Sequence, residues 1–359
     1  MTKPPRVSLI LLNWNGWKDT IECLESVYQM DYPNYDVIVV DNGSSDNSIE
    51  QIKKYAAGEI VVESPFFEYS SLNKPIAVFE VDEHSARNGI FDLNSYEKYN
   101  SNRRLIIIKN NDNYGYPGGN NGGIIFALKV FDSDYIYILN NDLVIASDNV
   151  SIMVKSFEIK KDAGIVGCIH YDYREPKKIV HAGGEINFKK ARTISYVNLN
   201  NVYFNNKLVK VPWVSGAAIM VKSEVFNKVG LFNECMFLYW DETEFILRVK
   251  NYGFSTYVNI TTEVWHKIGK SSQKVKLITL YLDTRNSLYV VKKYGKDSDK
   301  IILIFAYLSR RIIRTFFSSV IKYKSISRFF AYIFAILMGT SSRICNDLFF
   351  VYLKKSKMN

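Results

Sequence analysis

Four times between Val7 and Asp148 the chain passes from a short apolar run into a polar, Gly- and Asn-rich cluster and then into a helix-prone stretch. Val7–Leu12 ends at Asn13-Trp14-Asn15-Gly16, after which Asp19–Tyr28 sets Ile21, Leu24 and Val27 at helical spacing. Val37–Val40 is the continuous apolar run of a strand buried on both faces. It stops at Asp41-Asn42-Gly43-Ser44-Ser45-Asp46, where Ser45 or Asp46 can cap a helix over Ser48–Tyr55. Leu105–Ile108 leads to the glycine-rich Asn113–Gly123 and the apolar Ile124–Val130, and Tyr135–Leu139 leads to Asn140-Asn141-Asp142 and a helix from about Asp148. Strand-then-helix units in series predict an α/β fold with a mostly parallel sheet. Such sheets bind ligands outside the carboxyl ends of their strands, where these polar clusters fall.

Between Glu63 and Arg104 the pattern breaks into a polar, aromatic-bearing segment without clear period, read as an insertion over 64–104 that forms an acceptor-side lid or a mobile loop. Further strands are expected at Val209–Val214 and Gly216–Val221, and helices at Glu224–Val229 and Glu242–Tyr252, the latter ended by Gly253. From Lys276 onward helical patterns dominate. Cys23, Cys168, Cys235 and Cys345 form neither a CxxC pair nor a disulfide framework, and are expected to be reduced packing residues in a cytosolic protein. The apolar run at the start is too short for a leader peptide, so none is expected.

The formal charge of +10 becomes informative once located. From Lys300 onward the basic residues Lys300, Arg310, Arg311, Arg314, Lys322, Lys324, Arg328, Arg343, Lys354, Lys355 and Lys357 face a single acid, Asp347, so the excess sits on an aromatic and aliphatic tail. A nucleic-acid binder spreads its basic residues over a folded recognition face, so nucleic acid is not an expected partner. Neither Ile301–Leu308 nor Phe329–Met338 reaches the ~20 residues of a spanning helix. Amphipathic helices on the anionic inner face of the cell membrane fit this pattern; a helical bundle packed on the core, or a homodimer interface, is the alternative. On the membrane reading, deleting the chain after about Lys300 leaves the nucleotide site intact.

The order Val7–Gly16, Asp41–Asp46, Gly115–Gly123, Leu139–Asp142, then Gly216-Ala217 through Trp240-Asp241-Glu242-Thr243-Glu244, resembles the family-2 glycosyltransferases, especially rhamnosyl- and galactofuranosyltransferase-like members. The resemblance covers roughly Val7 to Gly295 apart from Glu63–Arg104. It implies a GT-A nucleotide-diphospho-sugar transferase fold over residues 1–270, with 271–359 a helical, membrane-associated region. It also implies an inverting, nonprocessive enzyme that moves a sugar from a UDP- or dTDP-sugar to a glycan or lipid-linked acceptor in bacterial surface polysaccharide assembly. The QxxRW motif of processive synthases is absent from the sequence. A nucleotide-binding scaffold with a degraded site, and a sugar-phosphate nucleotidyltransferase, are the rivals. The nucleotidyltransferase would need a Gly-rich triphosphate loop after the first strand, which Asn13-Trp14-Asn15-Gly16 is not.

The residues themselves carry part of this. Asp41, closing a buried strand, can accept a hydrogen bond from a base or ribose; it can equally start a turn with Asn42-Gly43. The Gly118–Gly123 stretch can bring backbone near a phosphate, with Gly119 and the amides of Asn120 and Asn121 beside it. The resemblance adds Asn13, Asn15, Asn140, Asn141 and Gly216 to the donor side, with Arg285 neutralising the diphosphate. Asp142, with His266 placed by the resemblance, would hold Mn²⁺ or Mg²⁺ against two phosphate oxygens, although Asn140-Asn141-Asp142 supplies only one full charge. Three acids in four positions after Met236–Trp240 either complement a helix dipole or place a general base at a pocket edge. The resemblance makes Glu242 the base, with Asp241 as alternate or as a holder of acceptor hydroxyls.

Overall fold

The computed structural model describes residues 3–199, 206–267, 277–341 and 344–355. The apolar runs become buried strands. β1 (Val7–Asn13), α1 (Trp17–Tyr28), β2 (Tyr35–Asp41) and α2 (Ser48–Ala57) open the chain, followed by β3 (Ala77–Asp82), α3 (Glu83–Asn88) and α4 (Leu93–Tyr96). Next come β4 (Arg104–Lys109), α5 (Gly115–Phe126), β5 (Tyr135–Asn140), β6 (Leu143–Ile145) and α6 (Asn149–Ile159). β1 lies parallel between β2 and β5, with β4 and then β3 continuing parallel beyond β2. The chain therefore winds both ways from β1, leaving a crevice outside the carboxyl ends of β1 and β5.

The second half adds β7 (Ala163–Asp172), β8 (Ile179–His181), β9 (Gly184–Asn187), β10 (Arg192–Ser195), β11 (Leu208–Lys210), β12 (Ala218–Lys222), α7 (Ser223–Val229), α8 (Asp241–Asn251) and β13 (Ser255–His266). The main sheet runs β11-β13-β7-β12-β5-β1-β2-β4-β3, with β6 on β13 and β8 on β7, while β9 and β10 form a separate ribbon. β12 is antiparallel to both β5 and β7. Alternate strand residues feed two cores, one around Leu9, Leu11, Val37 and Val39, the other around Ile10, Ile38, Val40 and Phe126. Both faces are covered, which is why the central strands read as unbroken apolar runs.

Several expectations change. The glycine-rich stretch is not a phosphate loop: Gly118, Gly119, Gly122 and Gly123 lie inside α5. A methyl at Gly119 would sit 2.4 Å from Leu12 Cδ1, and one at Gly123 2.8 Å from Ile10 Cγ2, so these glycines let the helix press onto the sheet. The 64–104 segment is neither lid nor loop throughout, since it contributes the edge strand β3 and two short helices. Its start is pinned to α1 by a buried Lys74–Glu25 ion pair at 2.9 Å, with Lys74 4.3 Å over the Tyr55 ring. Cys235 and Cys345 form a disulfide across 110 positions, correcting the all-reduced reading; Cys23 and Cys168 are free and buried. Only the tertiary approach of the two segments could reveal that pair.

The C-terminal region comprises α9 (Leu277–Tyr294), α10 (Asp297–Ile302), α11 (Ser309–Phe317), α12 (Ile326–Thr340) and α13 (Leu348–Lys355). The expected boundary at 270/271, together with Arg343 and Lys357, lies outside the described residues. α12 buries Ala331, Tyr332, Ala335 and Gly339, and a methyl at Gly339 would meet Arg285 O of α9 at 2.4 Å. The packed-bundle alternative thus holds for one face of α12. The opposite face leaves Phe330, Phe334 and Leu337 exposed. No described helix is long and apolar enough to cross a membrane.

Candidate active site

The loops leaving β1, β2 and β5 meet at the crevice. Asn13 is fully buried and is consumed there: its Nδ2 donates to Asp41 Oδ2 at 2.7 Å, and its Oδ1 accepts from Thr20 Oγ1 at 2.8 Å. Ser44 N donates to Asp41 Oδ1 at 3.0 Å, so Asp41 is held rigid at the strand end with its second lone pairs unused. Asn15, at φ 52°, faces solvent and accepts from Ser45 N at 2.7 Å, tying the β1 loop to the β2 loop. Asn141 Nδ2 donates to Thr20 Oγ1 at 3.0 Å, and Asn140 N donates to Ala217 O at 2.8 Å, placing Gly216 beside the end of β5.

Three expected ligand contacts are not available. Asn121 is spent on the loop before α8, accepting from Phe232 N at 3.1 Å and donating to Phe232 O and Glu234 Oε1. Asn120 donates to Tyr116 O within its own helix, leaving a buried Oδ1 without a partner. The first donors of α5 are also taken, Gly115 N by Asn113 Oδ1 and Tyr116 N by Phe237 O, so that helix end offers no anion cradle. Arg285 is not poised over a diphosphate either. It is fully buried, with Nη1 donating to Asp347 Oδ2 at 2.8 Å and Nη2 to Cys235 O at 2.7 Å.

The acids at the head of α8 divide into two roles. Glu244 accepts from Arg248 Nε, Lys293 Nζ and Tyr294 OH; burial pushes its carboxyl up, but Arg248 and these hydrogen bonds outweigh it and hold the group below its ordinary value. It is a structural ion-pair centre. Among the described residues, Asp241 and Glu242 have no cation to pair with in that way. Burial, and then each other's charge, raises Asp241 well above the ordinary carboxylate range, and burial raises Glu242 in turn. Asp241 Oδ2 is buried without a hydrogen bond. Glu242 packs on Gly216, where a methyl would lie 2.9 Å from Glu242 Cβ. The indole N–H of Trp213, itself without a hydrogen bond of ordinary geometry, is among the groups favouring charged Glu242.

Tyr116 is a site residue that sequence reasoning missed. Its hydroxyl donates to Gly216 O at 2.6 Å, and burial, Asp241 and Glu242 together hold its proton on. A tyrosine inside the glycine-rich motif carried no signal of this. His181 was also missed: its Nε2 accepts from Ser215 N at 2.9 Å, which puts its proton on Nδ1 toward Ser195 Oγ and fixes the approach to Gly216.

Asp142 and His266, separated by β6 through β13 in sequence, are brought together where β6 pairs with the end of β13, His266 opposite Leu143. His266 Nε2 is 3.3 Å from Asp142 Oδ1, a buried oxygen without a hydrogen bond. A lone-pair-bearing carboxylate and an imidazole at this spacing fit a divalent cation whose remaining ligands come from elsewhere. Among the described residues no group of three or more His, Cys, Asp or Glu could hold a metal. The neighbouring Lys267 pairs with Asp19 at 2.6 Å and with Glu22, fixing the end of β13 onto α1.

A strand-end crevice at the switch point, closed by an antiparallel β12 and a helix headed by buried acids, defines a GT-A-type protein. The chain belongs to glycosyl transferase family 2, whose model matches residues 8–75 and 71–230. Its relatives include the low-salt glycan biosynthesis hexosyltransferase Agl10 of Haloferax volcanii, 26% identical over 152 residues, covering 41% of this chain and 46% of that protein. The rhamnosyltransferase WbbL of Escherichia coli K12 is 23% identical over 146 residues, covering 38% of this chain and 54% of that one. The chain thus spans about half the length of the curated relatives it matches. Among solved structures, the mannosyltransferase PcManGT from Pyrobaculum calidifontis in complex with GDP-Man and Mn²⁺ has a TM-score of 0.53 at 14% identity, covering 94% of this chain and 88% of that one. S. aureus TarS 1–349 in complex with UDP-GlcNAc gives the same score and identity, with 94% and 82% covered.

Proposed function

We propose that the chain transfers a sugar from a nucleoside-diphosphate donor to an acceptor hydroxyl with inversion at the anomeric carbon. The observation that carries this reading is the pair of buried Asp241 and half-buried Glu242, with Glu242 seated on Gly216 beside the end of β5. Glu242 takes the acceptor hydroxyl's proton as the oxygen–carbon bond forms, while the bond from the anomeric carbon to the diphosphate breaks on the opposite face. Burial that raises its pKa brings a carboxylate nearer the basicity a general base needs. Asp241, buried next to it, is the alternate base. Asp142 and His266 would hold a divalent cation, which supplies positive charge to the departing diphosphate. Asp41 accepts from the base or ribose of the donor. That PcManGT and TarS were solved with nucleotide sugars supports this donor class.

The acceptor is a glycan or lipid-linked glycan of surface polysaccharide assembly, and the exposed apolar face of the C-terminal helices is read as resting on an anionic membrane. That face includes Phe305, Ile313, Phe317, Ile321, Phe330 and Phe334, flanked by Lys322, Lys324 and Arg328. The deciding experiment screens UDP-, dTDP- and GDP-sugars, with and without Mn²⁺, against wild type and Glu242→Gln. The variant is expected to lose at least ~100-fold in kcat with donor affinity nearly unchanged. Turnover close to wild type would move the base to Asp241, and Asp241→Asn with equal turnover would end the proposal.

A further inference from the structure

The loop that delivers the acidic pair has an unusual backbone. Phe237, Tyr239 and Trp240 have φ of 63°, 65° and 67°, a region side-chain-bearing residues rarely adopt, and Trp240 caps α8 without a side-chain hydrogen bond. The carbonyls of Met236, Leu238 and Tyr239 all turn inward onto one side chain, Asn286 Nδ2, at 2.8, 2.9 and 2.9 Å. That amide is oriented by Arg285 Nε, which donates to Asn286 Oδ1 at 2.9 Å. Arg285 Nη2 adds donations to Cys235 O and Met236 O, and Nη1 is anchored on Asp347. Trp240 Nε1 donates to Asp283 Oδ1 at 3.0 Å, the sixth of these hydrogen bonds between residues 235–240 and α9. Against the other side, Gly115 at φ 72° passes so close that a methyl would lie 2.1 Å from Phe237 O.

We propose that Arg285 and Asn286, anchored by Asp347 and joined by Asp283, are positioning residues that set the placement of Asp241 and Glu242. Neither Arg285 nor Asn286 is exposed to solvent, so neither meets a ligand directly. Their polar atoms converge on the backbone immediately before the acids, and the donor loops of β1, β2 and β5 make no use of them. Loosening the ties lets the positive-φ residues relax, which swings the head of α8 and opens the acids to water. The C-terminal helices therefore complete the catalytic machinery. The inference rests on the acidic-pair reading above.

The test uses the full chain. Asn286→Asp keeps the shape and removes both N–H donors. It is expected to lower kcat by ~10–100-fold, the scale of a small misplacement of reacting groups, with the Kd for UDP, dTDP or GDP within about twofold. Amide exchange over 236–242 should speed up, and the acid limb of the kcat–pH profile should move to lower pH as the carboxyls become solvated. A merely structural role would move neither the pH limb nor kcat apart from Kd. A folded Asn286→Asp with unchanged kcat and pH limb overturns the proposal. Should that variant not fold, Asp283→Ala, at a half-exposed side chain, releases the Trp240 tie and the 3.8 Å Arg311 pair while leaving Arg285 and Asn286 in place; it is expected to lower kcat severalfold, and an unchanged kcat overturns the proposal equally. Glu242→Gln run alongside separates the two failures: if it keeps turnover, the functional reading is at fault, and if it alone loses turnover, the positioning role is.

Discussion

Replacing Asp347 with Leu strips the partner from a guanidinium that has no water to fall back on. The Arg285 and Asp347 side chains are 0% and 1% exposed, and their contact is 2.8 Å. Removing one member of such a pair leaves a buried charge uncompensated, at a cost of ~3–5 kcal/mol. Asp347 also accepts from Tyr281 OH at 2.8 Å and Phe350 N at 2.9 Å, so the upper half of that range is expected. Against a total stability of ~5–15 kcal/mol, this consumes a large share. The double variant Arg285→Met, Asp347→Leu removes both charges while keeping apolar volume, and should be within ~1–2 kcal/mol of wild type. The assay is a double-mutant cycle by urea unfolding followed through tryptophan fluorescence, with the disulfide kept oxidised. The coupling is the sum of the two single costs less that of the double, so at least ~2 kcal/mol is expected. An Asp347→Leu cost under ~1 kcal/mol, or a double variant as unstable as the sum of the singles, would refute the reasoning. Deletion after Lys300 removes Asp347 and α12 together, and is therefore expected to destabilise the catalytic domain rather than spare it, opposite to the sequence-based expectation.

Four further outcomes are expected. Because burial raises both Asp241 and Glu242, and a base works deprotonated, kcat should fall as pH drops through a limb above the ordinary carboxylate value of ~4.3, and Glu242→Gln should abolish that limb; a limb at or below ~4.3 in wild type would contradict the assignment. The same raised values stabilise the fold at low pH and are lost as pH rises through them, whereas the lowered Glu244 contributes above its unfolded value and is lost as pH falls, so Asp241→Asn should gain thermal stability relative to wild type toward alkaline pH. EDTA should weaken nucleoside-diphosphate binding, and His266→Ala should raise the Mn²⁺ concentration needed to restore it, measured by calorimetry; EDTA-insensitive binding would remove the metal role. Full-length protein should sediment with phosphatidylserine vesicles, and Phe330→Ser with Phe334→Ser should abolish the fraction that survives high salt, since screening acts within ~8 Å on charge but not on inserted rings; indifference to vesicles leaves this face to a dimer, read by its oligomeric state.

The parallel half of the sheet was legible because strands buried on both faces must be continuous apolar runs, and because Gly, Asn and Asp must terminate them. The β3 edge strand was not, since Ala77–Asp82 is largely half-buried or exposed and lacks that composition. The tail's two faces were half legible: charge and aromatics marked a surface, but only α12's packing on α9 showed that Tyr332 is buried while Phe330 and Phe334 are exposed.

What the sequence alone determined was the α/β class, the location of the crevice at strand ends, and the acidic pair, each encoded by local pattern within a few residues. Only the tertiary structure decided which polar residues remain for chemistry. Asn13, Asn121 and Arg285 carry the right groups for a ligand, yet their donors and acceptors are filled by partners 28, 111 and 62 positions away. A buried polar group must be satisfied by whatever the fold brings beside it, and no local pattern records that neighbour. The same logic joined Asp142 to His266 and Cys235 to Cys345, and made Asp347 part of what holds the loop before α8.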